Sequence, residues 1–376
     1  MNFKISKTKF YNALQIVSRA ISPNSPVPSL CGVLIEAGND GITLTGSDGD
    51  ISIRMHLSNT IDENLNLSVL EEGSVVIDSR YITAIASKMN SNDIQVEIID
   101  GTLTRFSSLK TEYKINGYRA SDYPSIDFNT PATNFTIKSS DLTEIIESTA
   151  FATSVKETRP VLTGVNFQSN GTEIVATATD SYRLAKKTYP LTAEAFNVTI
   201  PAKSLNEAKS IFNSENDDIQ ISLDTKKVQF SNDSILMQSR LLEGGFPETE
   251  RLIPKEFAYK LVINRQDLIS AIDRNMFIKN EKMTLNRLQI NNKDDISLTN
   301  KSQEIGESIE TMNAISYEGE PIDISFAGNY VMDAAKALDT VNIKIQFTGS
   351  MKPFVLTNDS EDSSVLQLVL PVKTYN

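Results

Sequence analysis

The chain is poor in the residues that usually carry site chemistry. Its 376 residues include one cysteine, Cys31, one histidine, His56, and no tryptophan. A single thiol cannot close an internal disulfide, which points to a reducing, cytoplasmic setting. One Cys and one His cannot supply a structural zinc site, so neither a metal nor a cofactor is expected. Long apolar runs are also missing. Stretches such as Val365-Leu366 and Leu368-Val369-Leu370 fall far below the roughly 20 residues a membrane helix needs. The opening Met1-Asn2-Phe3-Lys4-Ile5-Ser6-Lys7 has no apolar signal core. The expectation is a soluble, intracellular protein with no membrane partner.

Catalytic signatures are equally scarce. There is no P-loop or dinucleotide glycine loop and no Gly-x-Ser-x-Gly elbow. His56 lies in the alternating run Ile51-Ser52-Ile53-Arg54-Met55-His56-Leu57, which favours a packed or surface strand residue over a general base, since a base needs an orienting partner. Cys31 opens an apolar run and is expected to be buried and inert. Gly46-Ser47-Asp48-Gly49-Asp50 looks like a cation loop but lacks the later glutamate, so it reads as a hairpin turn. No pair of the scattered carboxylates can be assigned to catalysis, and the chain leans away from an enzyme.

What is present is an ordinary globular balance, 40% hydrophobic and 22% charged, with 36 Lys+Arg against 48 Asp+Glu and a net charge of -12. The length suits two or three domains. A faint long repeat organises it. Phe3-Lys4-Ile5-Ser6 leads to Phe10, Ala13, Leu14 and Val17, one face of a helix. Phe135-Thr136-Ile137-Lys138 leads to Leu142, Ile145 and Ile146, and Leu261-Val262-Ile263-Asn264 leads to Leu268, Ala271 and Ile272. Runs opening at Leu30, Leu162 and Leu285 follow as strands, and further strands open at Asp93, Asp218 and Asn342. A second helical stripe precedes each of the latter: Ile82, Ile85, Ala86 and Met89; then Leu205, Ala208 and Phe212; then Val331, Ala334, Ala335 and Leu338. Each unit is about 125 residues, a typical domain size. The joints Tyr118–Ile126 and Leu242–Glu250 each hold an aromatic-Pro pair that favours extended chain. The expected domains are 1–128, 129–254 and 255–376, of α+β class.

Three motifs carry a family resemblance. They are Ala178-Thr179-Asp180-Ser181-Tyr182-Arg183-Leu184-Ala185, the stretch Gly244-Gly245-Phe246-Pro247-Glu248-Thr249-Glu250-Arg251-Leu252-Ile253-Pro254, and the tail Leu368-Val369-Leu370-Pro371-Val372-Lys373. In order, on this repeat, they resemble the bacterial DNA polymerase III beta subunit, the replicative sliding clamp, over the whole chain. The resemblance implies three DNA-clamp domains per chain, each with two helices packed on antiparallel sheets, and a head-to-tail homodimeric ring with helices lining the hole. It implies a non-enzymatic processivity factor for DNA replication. The implied partners are double-stranded DNA held without sequence preference, the polymerase III catalytic subunit, the clamp loader complex and other replication and repair proteins.

The resemblance further implies an apolar partner-peptide groove between the second and third domains. Carried over position by position, it comprises Leu162, Thr179, Ser181, Tyr182, Arg183 and Leu184 from the second domain. Pro247, Arg251 and Leu252 come from the following joint, and Met351 and Pro353 from the third domain. The tail adds Leu368, Val369, Leu370, Pro371 and Val372. Leu, Val, Met and Pro would form the floor, with Arg183 and Arg251 holding peptide carbonyls or carboxylates at the rim. Tyr182 and Ser181 stand where many relatives carry His and Gly. Each apolar residue alone is also compatible with core packing.

An acidic chain that holds DNA by enclosure needs only a sparse, sequence-blind lining. Arg19, Arg80, Lys203 and Lys336 fall on helix faces opposite the apolar stripes, but so do Glu144, Glu147, Glu207, Asp273 and Asp333. By periodicity the lining is mixed, and a solvated helix face explains it as well. Lys156 and Asn24 match DNA-contacting loop positions of the family, where Asn24 departs from a basic residue. Two other classes remain open on the residues alone: a repeat-domain hydrolase or transferase with a polar cleft, and a protein scaffold that does not bind DNA.

Overall fold

The computed structural model describes residues 1–58, 66–214, 217–278, 284–360 and 363–373. One grammar is written three times along the chain. The first repeat runs β1 (Asn2–Ser6), α1 (Lys7–Ser18), the meander β2 (Gly32–Gly38), β3 (Gly41–Ser47) and β4 (Ile51–Leu57), then β5 (Ser68–Glu71) and β6 (Gly73–Asp78). It closes with α2 (Ser79–Lys88) and a second meander, β7 (Asp93–Asp100), β8 (Leu103–Ser108) and β9 (Thr111–Asn116). The second repeat runs β10 (Thr133–Lys138), α3 (Ser139–Thr149), β11 (Gly164–Ser169), β12 (Glu173–Thr179), β13 (Arg183–Pro190), β14 (Phe196–Pro201), α4 (Ala202–Ile211), β15 (Asp218–Leu223), β16 (Lys227–Ser231) and β17 (Ile235–Arg240). The third runs β18 (Tyr259–Asn264), α5 (Arg265–Asn275), β19 (Leu285–Asn292), β20 (Asp295–Ser302), β21 (Gly306–Met312), β22 (Ser316–Glu318) and β23 (Ile322–Ala327). It ends with α6 (Gly328–Lys336), β24 (Asn342–Phe347), β25 (Phe354–Asn358) and β26 (Val365–Val369).

Local chemistry explains the elements. In β1, alternate residues Phe3 and Ile5 are fully buried, and α1 buries the predicted stripe Phe10, Ala13, Leu14 and Val17. The rings of Phe3 and Phe10 meet edge to face at 6.1 Å, so strand and helix lock where the repeat begins. Asp78 caps α2 by accepting from the Arg80 amide, and Asn264 caps α5 by accepting from Gln266 and Asp267. The loop 48–50 is the expected hairpin turn. Asp48 Oδ1 accepts the amides of Asp50 and Ile51, and Gly49 takes the positive φ of 95° that the turn demands. His56 is a half-buried strand residue within 3.0 Å of the Thr43 hydroxyl. Two expectations change. The runs at Leu30 and Leu162 begin as short 3-10 turns, Pro28–Cys31 and Pro160–Thr163, because proline starts a turn and cannot donate to a ladder. Cys31 is therefore half-buried at the end of a turn instead of buried in a strand.

The chain divides into two compact units, Met1–Ser140 with Glu207–Leu241, and Asp141–Asn206 with Leu242–Asn376. The first unit holds a five-stranded sheet, β5-β1-β7-β8-β9, and an eight-stranded one, β10-β15-β16-β17-β4-β3-β2-β6. The second holds a nine-stranded sheet, β14-β11-β12-β13-β26-β25-β24-β18-β22, and a four-stranded one, β21-β20-β19-β23. The large sheets are each made from two repeats. The last strand of one repeat pairs antiparallel with the first meander of the repeat before it, β17 on β4 and β26 on β13. No helix among the described residues is long and apolar enough to cross a membrane.

Candidate functional site

Side chains alternate across a strand, so register decides which tail residues can meet a partner. Leu184 of β13 pairs with Leu368 of β26, which pairs with Val355 of β25, and Thr179 of β12 continues the row beside Leu184. Leu184, Leu368 and Val355 form one buried cluster, with Ile253, Phe257, Leu366 and Leu370 packed against it. This is an apolar floor on the outer face of the nine-stranded sheet. The other face carries Val365 and Val369, which join the core built on Leu268 of α5 and Val331 of α6. The expectation that Val369 lines the groove is thereby corrected: it faces the helices, while Leu368 and Leu370 lie on the opposite face of the sheet.

The expected rim residues lie close in sequence to this cluster and its covering residues. Tyr182 and Leu252 are each 56% exposed and Met351 57%. Met351 and half-buried Pro353 lead into β25, while Leu252 ends the 3-10 turn Glu250–Leu252 that also carries Arg251. The exposed Arg251 guanidinium lies 3.5 Å from Glu248. After β26 the chain is pinned as far as Val372: the Leu370 amide donates to the Tyr182 carbonyl at 3.0 Å and the Val372 amide to the Ser325 carbonyl at 2.7 Å. Pro371 and Val372 are half-buried. Leu162 is buried in its turn, where its carbonyl accepts from the Ser154 amide, so it is a packing residue first. Pro247 lines a neighbouring cleft of about 380 Å³ with Asn166, Gln168, Thr177, Lys186 and Glu250. Sequence reasoning missed this polar cleft. Its signal was the pair Asn166 and Gln168 at strand alternation, which needed the register to become a surface.

Arg183, expected at the rim, is held by bonds within the chain. Its Nε donates to Asp180, Nη1 to Asp333 at 2.7 Å and Nη2 to the Phe151 carbonyl at 2.7 Å. Its guanidinium also lies against the rings of Tyr330 and Phe151. Burial, and then the Asp180 charge, push the Tyr330 hydroxyl up from its ordinary range, against Arg183. Arg183 thus ties the β12–β13 turn to α6, and its nitrogens are already engaged within the chain. Asp180 also accepts the amides of Tyr182 and Arg183, which fixes the turn. Ser181 sits there at φ 78°, a left-handed conformation that costs an L-residue about 1–2 kcal/mol. Replacing Ser181 with Gly is expected to stabilise the fold by about 0.5–1 kcal/mol, seen as a rise of about 1–4 °C in thermal melting. A fall in melting temperature would refute the strain.

The equivalent row in the first unit has opposite chemistry. Ser47, Ser52, Gln238 and Gln229 take the places of Thr179, Leu184, Leu368 and Val355. Ser47 and Ser52 hydroxyls bond at 2.8 Å, and Gln229 donates to Gln238 and to the carbonyls of Phe128 and Asn129. Of these two equivalent rows, only the one in the second unit offers an apolar floor.

Of the five basic residues singled out for DNA, the two arginines are engaged within the chain. Arg19 caps the end of α1 and bonds Glu207 at 2.9 Å. Arg80 grips Asp78 through two nitrogens. Burial pushes the Asp78 carboxyl up, but the Arg80 hydrogen bonds outweigh it and leave it below the usual range. Lys203 is exposed in the first turn of α4, Lys336 is exposed at the end of α6, and Lys156 and Asn24 sit in exposed loops. Three of the five acids expected on free helix faces are ion-paired within the chain: Glu144 bonds buried Lys187, Glu207 bonds Arg19 and Asp333 bonds Arg183. Among the described residues no group of three or more His, Cys, Asp or Glu is placed to hold a metal ion.

Comparison with known proteins bears on all of this. Residues 1–127, 136–248 and 250–373 match the N-terminal, central and C-terminal domains of the DNA polymerase III beta subunit. The chain is 34% identical to the beta sliding clamp of Bacillus subtilis and 36% identical to that of Staphylococcus aureus, each over the whole of both chains. Its structure is similar to that of the DNA polymerase sliding clamp from Bacillus subtilis, with a TM-score of 0.95 at 33% identity. It is also similar to the beta subunit from Streptococcus pyogenes, at 0.94 and 32%, in both cases across 100% of each chain.

Proposed function

Because the chain belongs to the DNA polymerase III beta-subunit family, we propose that it works as a sliding clamp: two copies close head to tail around duplex DNA and tether the replicative polymerase. The observation that carries this reading is the strand grammar. Within the chain, β17 joins β4 and β26 joins β13. The third joint of the same kind would need β9, an edge of the five-stranded sheet, and β21, an edge of the four-stranded one. Pairing β9 of one copy with β21 of another makes a nine-stranded sheet like the one already inside the chain, and removes two exposed edges. Done twice, it closes a ring and not a fibre.

Enclosure reconciles the net charge of -12 with DNA. A ring stays on because the duplex cannot leave it, and strong phosphate contacts would only slow it. The domain limits we propose are 1–128, 129–254 and 255–376, each cut falling a few residues after an aromatic-Pro joint. We further propose that the clamp is cytoplasmic, has no catalytic activity of its own, and receives the polymerase, the clamp loader and repair proteins through peptides that set apolar anchors against the exposed Tyr182, Leu252 and Met351, with the buried Leu184, Leu368 and Val355 as the base beneath the groove. Arg19, Asn24, Arg80, Lys156, Lys203 and Lys336 are the proposed DNA-facing set.

The test is retention. Clamp loaded onto closed circular DNA is expected to stay bound through gel filtration and to be lost once the circle is cut once. Equal retention on circular and linear molecules would refute enclosure.

A further inference from the structure

Residues 242–258 cross the outer face of the nine-stranded sheet and carry Pro247, Arg251 and Leu252. The segment is tied at its start, where the Leu242 amide donates to the Thr199 carbonyl at 2.9 Å, and beyond its middle, where Ile253 and Phe257 pack on the apolar floor. In between, Phe246–Glu250 border the cleft of about 380 Å³, whose sheet side is polar. What spans that gap is an ion pair, Lys186 Nζ to Glu250 Oε2 at 2.9 Å. Lys186 lies two residues from Leu184 on the same face of β13, opposite Leu366.

The matching linker in the first unit is held by other means. Tyr123 is buried with Leu30 and Val76, and Ile126 packs against them. Arg54, which takes the place of Lys186 in its sheet by pairing with Leu236, lies 3.8 Å over the Phe128 ring. The same strand position thus fastens the linker in both units, by stacking in one and by a screened charge pair in the other. Glu250 is 69% exposed at its side chain and opens the 3-10 turn Glu250–Leu252, so its anchorage sets where Arg251 and Leu252 stand.

We propose that Lys186 and Glu250 form a latch that positions the Arg251–Leu252 wall of the groove for the partner peptide, an inference that rests on the groove reading above. Both are positioning residues acting through the wall. An exposed pair of this kind is worth about a two- to fivefold change in affinity, and salt weakens it.

Binding of the polymerase III catalytic subunit to the full-length clamp tests the latch. Glu250→Gln and Lys186→Met are each expected to weaken binding about threefold at low salt, with unchanged melting temperature, and to match the wild type at high salt. The double variant should be no weaker than either single one, and the exchange Lys186→Glu with Glu250→Lys should restore wild-type affinity. Additive losses, or an exchange that fails to rescue, would overturn the latch. The variant Leu252→Asp with Met351→Asp separates the two readings. If it binds like the wild type, the groove is misassigned and the latch falls with it. If it fails to bind while the latch variants bind normally, only the latch is wrong.

Discussion

A clamp carrying Leu252→Asp and Met351→Asp is expected to bind the polymerase III catalytic subunit at least about thirtyfold more weakly, while its melting temperature moves by no more than about 2 °C. The two halves of that expectation have one cause. Leu252 and Met351 are more than half exposed in the free chain, so removing them costs folding little, and surface substitutions usually stay within about 0.5 kcal/mol. A bound peptide would cover them, and each covered Leu or Met is worth about 1.5–3 kcal/mol. A carboxylate in its place must also lose water without a partner. A loss of 2 kcal/mol is already about thirtyfold. Leu184→Asp would not separate these effects, because Leu184 lies under Ile253 and Phe257 and a buried unpaired charge attacks the fold itself. Deleting the chain from Leu370 onward should act in the same direction, since it removes the two amides that pin the tail to Tyr182 and Ser325. Binding within threefold of the wild type in the double variant, measured by surface plasmon resonance, would remove the groove from the proposal.

What sequence could and could not disclose follows from how far each cause reaches along the chain. The strand-then-helix openings at Phe3, Phe135 and Leu261 were legible because both elements are local and their periods differ. The turn at Asp48-Gly49 was legible for the same reason. The run Val365–Leu370 was not, because it is apolar at every position but Gln367. Both faces of β26 are buried, one by α5 and α6 and the other by the Ile253–Phe257 segment. Only the pairing with β13 tells Leu368 from Val369. Charges fared worst. A helical wheel shows which way Glu144 or Asp333 points, but not that Lys187 or Arg183 waits on another element. Arg183 looked available because its three partners lie 3, 150 and 32 residues away. The Lys186–Glu250 pair was invisible for that reason too. The membership of the proposed groove came from a resemblance, and register then separated its exposed residues from those packed in the chain.

Register also yields the second large effect, at ring closure. The joint inside the first unit sets Gln238 opposite Ser52, and the joint inside the second sets Leu368 opposite Leu184. Asn2 and Asn134 open equivalent ladders, and following each across its sheet puts Lys114 of β9 in the place of Gln238. Leu285 faces Ala327 as Gly32 faces Asp78 and Gly164 faces Pro201, each ahead of the second helix of its repeat, and counting on from that match puts Glu307 of β21 in the place of Ser52 and Leu184. If the two copies repeat the geometry, Lys114 of one meets Glu307 of the other, once at each of two joints. Opposed charges across strands stabilise and like charges destabilise by up to about 1 kcal/mol. Lys114→Glu would place a third acid beside Glu112 and Glu307, costing about 1 kcal/mol per joint, so about 2 kcal/mol per ring. That makes the dimer about thirtyfold weaker in analytical ultracentrifugation, and less so at high salt. Adding Glu307→Lys to the same chain restores opposite charges at both joints, so the double variant should regain the wild-type dissociation constant. A ring that tolerates Lys114→Glu, or one that the exchange fails to rescue, would mean that β9 and β21 meet in another register or do not meet at all.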